Sequence, residues 1–272
     1  MNKFLRERER QLERIEREIT GLENVLKTIE DHIASGDDVE REMMYRRQFL
    51  DQLDNYHQEE KWVKSAEFLL MEHMREVFLE EDEAIIIRPM QEKDKDDFAL
   101  IKKNGYEYPE GSEVAVNEYY DSLWSATKAR KSFYCAIVNK AANHMIGFLS
   151  INNLSKDLWE IGIDIEKGFR QKGIGSRALK MFTGSLNKRT ERKEFQCQVE
   201  VSNTASQALM KRIGAECVGF CKFITIYGYE KSFFDIKEEN ASDYAKGLAK
   251  QLGIQLDGQE IYVLDYRIRQ KE

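Results

Sequence analysis

The chain has no surplus of positive charge: 42 Lys and Arg stand against 49 Asp and Glu, giving a formal net charge of -7 and a pI of about 5.4. Sustained contact with a phosphate backbone needs clustered Lys and Arg, so no nucleic-acid partner is expected, and a cationic substrate suits this balance better. It has no uninterrupted apolar run of membrane-spanning length, and residues 1–10 alternate charges where a leader would carry an apolar core. The expectation is a soluble, cytoplasmic protein with no membrane partner. The 4 cysteines, Cys135, Cys197, Cys217 and Cys221, lie on apolar strand-like segments without metal-type pairing, and no His stands at a partner spacing. No metal site is expected, and the thiols read as buried and reduced.

What is present divides in two. At 272 residues and 42% hydrophobic content the chain can bury one substantial core beside a smaller module. Leu5, Leu12, Ile15, Ile19, Leu22, Leu26, Ile29 and Ile33 recur at spacings of three and four, the seam of a coiled-coil-like helix flanked by Arg and Glu. Gly36 breaks it, and Asp37 or Asp38 caps the next helix. Phe49, Leu53, Tyr56, Val63, Leu70, Met74 and Val77 then form a second stripe, interrupted at Glu60 and Glu67. Two such helices fold back as an antiparallel hairpin, which reads equally as an assembly arm or as a flank packed on the rest of the chain. The acidic run 80–83 marks the boundary, giving a helical hairpin over 1–82 and a second domain over 83–272.

Beyond the boundary, strand and helix patterns alternate. Residues 84–88 read as a strand stopped by Pro89, 94–103 and 114–127 as helices, and 133–138 with 145–152 as a hairpin. Strand 158–165, helix 175–187 and strand 195–201 form a parallel unit. A helix over 205–213, a strand over 217–227, a helix over 242–252 and a last strand over 261–268 complete the order, with 232–258 longer than a plain hairpin needs.

Between that strand and helix lies Arg170-x-x-Gly173-x-Gly175, a turn whose glycines let N–H groups converge on an anion at a helix N-terminus. A P-loop is excluded, because no Gly-Lys-Ser/Thr follows. Gly173-x-Gly175-x-x-Ala178 also fits the loose dinucleotide fingerprint, although residues 167–172 intervene where that motif turns tightly off its strand. A glycine turn that binds nothing is a further alternative.

This turn after a strand, with Asn203 just past the next strand, resembles the GNAT N-acetyltransferase superfamily. The order of elements from 84 to 268 agrees. Glu160-Ile161-Gly162-Ile163 and Asn203-x-x-Ser206 are similar to the branch containing ribosomal-protein N-terminal and spermidine acetyltransferases. The resemblance implies an α/β fold, a mixed and mostly antiparallel sheet with a central parallel strand pair, behind the helical hairpin. It implies acetyl-CoA as cofactor, with the backbone of Gln171, Lys172, Gly173, Ile174, Gly175 and Ser176 on the pyrophosphate. By the same resemblance Ile163 and Ile165 pair their backbone with the pantetheine arm and Asn203 bonds it. Independently, Arg170 and Lys172 add charge for an anion, and Asn203 serves equally as a helix cap.

Acetyl transfer to an amine needs a carboxylate to accept the ammonium proton and a donor for the leaving thiolate. Glu160 on the cofactor strand is the first candidate base and Asp157 the second, with ordinary solvated carboxylates as the alternative for each. The family Tyr that protonates sulfur falls at Met210, which cannot donate, so either another group such as Tyr227 or Tyr229 substitutes, water does it, or catalysis is weak. Residues 105–124, where family members take their acceptor specificity, carry five carboxylates without Lys or Arg, interleaved with aromatics. That suits a cationic amine, and equally an acidic surface over core aromatics. The expected activity is N-acetylation of a primary amine, either a small cation or a peptide N-terminus. The alternative is a weakly catalytic acetyl-CoA-binding domain with a helical arm. Residues 232–258 read as a lid or as an assembly element, so the hairpin and 232–258 are the two candidate surfaces for a homodimer.

Overall fold

The computed structural model describes residues 2–36, 39–103, 113–222, 241–256 and 262–270. They divide into two compact units, one of Met1–Phe78 with Asn153–Asp157 and one of Leu79–Asn152 with Leu158–Glu272.

The first unit is helical. The apolar spacing of the N-terminal segment produces α1 (Asn2–Ser35), which ends at Gly36 with φ +84°. The chain returns as α2 (Val39–Lys64) and α3 (Ala66–Val77). Ser65 separates these two: its hydroxyl donates to Trp62 O at 2.6 Å and accepts from Phe68 N at 3.3 Å, so one helix stops and the next is capped. Ile15, Leu26, Ile29, Trp62, Val63, Phe68, Met71 and Met74 are buried, and the Trp62 and Phe68 rings meet edge to face at 5.1 Å. Two carboxylates are buried with them, Glu59 against Arg14 and Glu72 against Arg75 at 2.9 Å.

The second unit is α/β. A five-stranded antiparallel sheet runs in the order β1 (Glu80–Glu81), β2 (Ile85–Pro89), β3 (Phe133–Asn139), β4 (His144–Ile151), β5 (Ile161–Ile165). Helices α4 (Lys95–Lys103) and α5 (Glu113–Ala126) lie between β2 and β3 in the chain. They cover one face, where Phe98, Ile101 and Trp124 pack on Ala136, Val138, Met145 and Phe148. The other face holds Phe133, Ile137, Leu149 and Ile161 under α6 (Ile174–Thr190), with Phe133 and Phe182 stacked at 6.2 Å. Asp94 anchors the start of α4: both its oxygens accept from Arg88, at 2.7 and 2.8 Å, and one also accepts from Gln91 N.

A second sheet of three strands runs in the order β6 (Glu194–Glu200), β8 (Tyr262–Arg269), β7 (Glu216–Lys222), with α7 (Thr204–Ile213) and α8 (Asp243–Leu252) in the connections. The two sheets meet in one parallel bridge, Glu160 to Gln196. Among the described residues the sheet is therefore mixed and mostly antiparallel, its parallel contact reduced to that bridge.

Candidate functional site

The site begins where β5 and β6 part. Gln196 N donates to Trp159 O at 2.9 Å, and beyond the bridge the main chains of β5 and β6 no longer pair. Backbone groups alternate sides along a strand. Glu166 N donates to Ile146 O at 2.8 Å, so Asp164 and Gly162 also turn their main chains toward β4, and Ile161, Ile163 and Ile165 turn theirs toward the gap. Ile161 O accepts from the Cys197 thiol at 2.9 Å and Ile165 O from Arg170 Nε at 2.7 Å. Ile163 lies between them with its N–H and C=O facing the opening.

The same strand runs directly into the glycine turn. A 3-10 turn, Lys167–Phe169, leads to Gln171 at φ +61° and Gly173 at φ +79°, and α6 starts at Ile174. Glycine at this N-cap supplies no side-chain acceptor, so the first helical N–H groups are left without the usual cap. Among the described residues no main-chain acceptor meets an N–H from Gln171 to Ser176. A Cβ at Gly173 would touch nothing within 4 Å, so the left-handed backbone rather than crowding selects glycine there. Lys172 Nζ stands 5.2 Å from the Phe169 ring centroid. Asn203 caps α7, its Oδ1 accepting from Ser206 N at 2.9 Å.

On the α4 side of β5, alternation places Glu160, Gly162 and Asp164 together. Asp164 is held by Lys102 at 2.9 Å. Across β4, Tyr134 shares this face, its hydroxyl donating to Asn152 Oδ1 at 3.1 Å. Across the bridge, Gln196 Nε2 donates to the buried Asp265 at 2.8 Å, and Asp265 also pairs with Arg267. Burial, reinforced by the Glu160 and Asp265 carboxylates, pushes the Cys197 thiol up to about 12, so it stays protonated.

The structure thus brings Glu160, Ile163, Ile165 and residues 170–176 to one continuous edge. Asp157 is exposed in the segment that groups with the helical unit, outside the strand whose alternation would set its direction. Tyr227 and Tyr229 lie outside the described residues. Met210 is buried on α7. Of the 105–124 aromatics, Tyr120 and Trp124 are core residues and Asp121 pairs with Lys95 at 2.9 Å, whereas Tyr119 is exposed; residues 104–112 lie outside the described set. Tyr134 and the Gln196–Asp265–Arg267 cluster were not singled out from sequence. The place of Tyr134 opposite Ser150 follows from the β3–β4 register, which carries no local signal.

Residues 84–216 match the family described as the acetyltransferase (GNAT) domain. No curated protein sequence matches the chain. Among solved structures it is similar to a ribosomal-protein-S5-alanine acetyltransferase from Vibrio fischeri, at 15% identity and TM-score 0.47 over 71% of this chain and 97% of that one. An acetyltransferase of the GNAT family from Bacillus anthracis matches at 16% identity and TM-score 0.47, covering 71% of this chain and 99% of that one. The Microcin C7 self immunity acetyltransferase MccE, solved with acetyl-CoA and AMP, matches at 16% identity and TM-score 0.46, over 70% of this chain and 94% of that one.

Proposed function

Residues 84–216 being a GNAT acetyltransferase domain, whose family uses acetyl-CoA, we propose that the chain transfers an acetyl group from acetyl-CoA to a primary amine, a small cation or a peptide N-terminus. The observation that carries this reading is the continuity of the open Ile163 edge with the uncapped turn of Gln171 to Ser176. The residues present fit coenzyme A. An extended pantetheine arm can pair with Ile163 as an added strand does, and the diphosphate suits N–H groups at the positive end of α6. Arg170 and Lys172 supply cationic charge beside that turn. Asn203, with its Oδ1 committed to Ser206 N, keeps an amide NH₂ for the arm.

When bound, acetyl-CoA supplies an activated thioester carbonyl. The protein's share is to orient the donor, polarise the carbonyl and move a proton. Ile163 N–H, directed into the opening, is the candidate donor to the carbonyl oxygen. Glu160, half-buried on the acceptor-facing side, is the candidate acceptor of the ammonium proton, directly or through water. Asp157 is the second candidate for that task and Tyr227 the candidate proton donor to sulfur. Homodimerisation through the hairpin or through residues 232–258 belongs to the same proposal.

The test is acetyl-CoA-dependent release of free thiol with polyamines, aminoglycosides and peptides bearing a free N-terminus. Turnover is expected with at least one class, and Glu160→Gln should lower kcat by roughly 10²-fold, the usual contribution of a positioned base. Coenzyme A binding without turnover on any of them would favour the second reading, a weakly catalytic acetyl-CoA-binding domain. Met210, buried where the family's proton-donating Tyr belongs, is the observation on its side.

A further inference from the structure

Tyr134 lies opposite Ser150, and Ser150 lies opposite Gly162, so one row crosses β3, β4 and β5 on the face that carries Glu160. A Cβ at Gly162 would stand 2.5 Å from Ser150 Oγ. Gly162 therefore leaves room for the Ser150 hydroxyl, which lies over β5 between Glu160 and Asp164 on the side where Tyr134 stands. Burial first, and then the nearby Asp164 and Glu160 carboxylates, oppose ionisation of the phenol, so it remains a neutral hydroxyl close to both acids.

A phenol hydroxyl has one donor and two acceptor lone pairs. The Tyr134 proton goes to Asn152 Oδ1 at 3.1 Å, and the buried Ser150 stands across the ladder from it. With its proton committed to Asn152, the oxygen can act toward a ligand as an acceptor. Asp164 already carries the Lys102 ammonium at 2.9 Å. A nitrogen bearing N–H donors can give one to the Tyr134 oxygen, on the face that carries Glu160.

We propose that Tyr134 Oη accepts a hydrogen bond from the acceptor amine and holds its nitrogen beside Glu160. Tyr134 is then a determinant of acceptor binding, a role that rests on the acetyltransferase reading above. The phenol would leave donor binding untouched, because the Ile163 edge and the turn at 171–176 hold coenzyme A without it.

The test measures, by calorimetry on the full chain, the Kd of coenzyme A and of a bisubstrate probe in which its sulfur carries –CH₂–CO–NH–CH₃, the amide nitrogen standing for the acceptor. Tyr134→Phe should weaken the probe about ten-fold, the loss of one hydrogen bond, and leave coenzyme A within about two-fold. Equal losses for both ligands, or no loss for either, would overturn the assignment. Should that variant fail to fold, wild-type protein labelled at tyrosine ¹³Cζ decides: a tyrosine resonance that moves with the probe and not with coenzyme A supports the role, and none moving overturns it. Failure of wild-type protein to bind coenzyme A would remove the acetyltransferase reading itself.

Discussion

Single residues in this chain sort by what surrounds their polar atoms. Glu59 is buried in the helical unit and its carboxylate meets Arg14, whose side chain keeps 37% of its exposure. Removing the cation leaves a desolvated charge behind, which costs more than the pair contributes. Arg14→Met should therefore lower the unfolding free energy by roughly 2–3 kcal/mol, toward the low end for an orphaned buried carboxylate because Arg14 is partly solvated. The double change Arg14→Met with Glu59→Leu should recover most of that loss. Urea denaturation checks both, and an Arg14→Met midpoint equal to wild type would contradict the account. The same kind of reasoning had limits when only the sequence was in view. The placement of Glu160 was legible because it precedes a strand with a readable period. That of Tyr134 was not, since it depends on two strand registers and on the missing side chain at Gly162, neither of which local pattern encodes.

At the scale of elements, the order of strands and helices from β2 to β8 was legible, because periods of two and 3.6 and the caps at Ser242 and Asn203 are local signals. The second helical stripe was read as one segment with faults at Glu60 and Glu67. Ser65 explains the second fault: its hydroxyl ends α2 and caps α3, so the register restarts before Glu67, whereas Glu60 lies within the continuous α2. The parallel pairing of β5 with β6 was also only partly legible. Strand and helix order predicts a parallel unit, but how far two strands stay paired is set by what fills the space between them. Here the Cys197 thiol takes Ile161 O and Arg170 takes Ile165 O, which leaves Ile163 facing the gap. The glycine turn was readable as the link between a strand and a helix, which is where it lies. That Gly173 is required for its backbone angle rather than for space emerges only from its surroundings.

For the molecule as a whole, the charge balance of -7 gives an acidic protein the long-range field that concentrates a cationic acceptor and not the anionic donor. Screening shortens that field to about 10 Å at 0.1 M salt and about 3 Å at 1 M. For a cationic amine the acceptor KM should therefore rise several-fold between about 0.05 and 0.5 M NaCl with kcat nearly constant, whereas a neutral acceptor should respond little. Initial rates at varied salt check this, and equal responses for the two kinds of acceptor would contradict it. The central claim is narrower: main-chain N–H groups from Gln171 to Ser176 hold the diphosphate of coenzyme A. It is tested most directly by following the backbone amides in ¹H–¹⁵N spectra as coenzyme A is added. The account predicts downfield amide shifts concentrated in residues 171–176. Saturation of the protein with those amides unmoved, and shifts confined elsewhere, would contradict it.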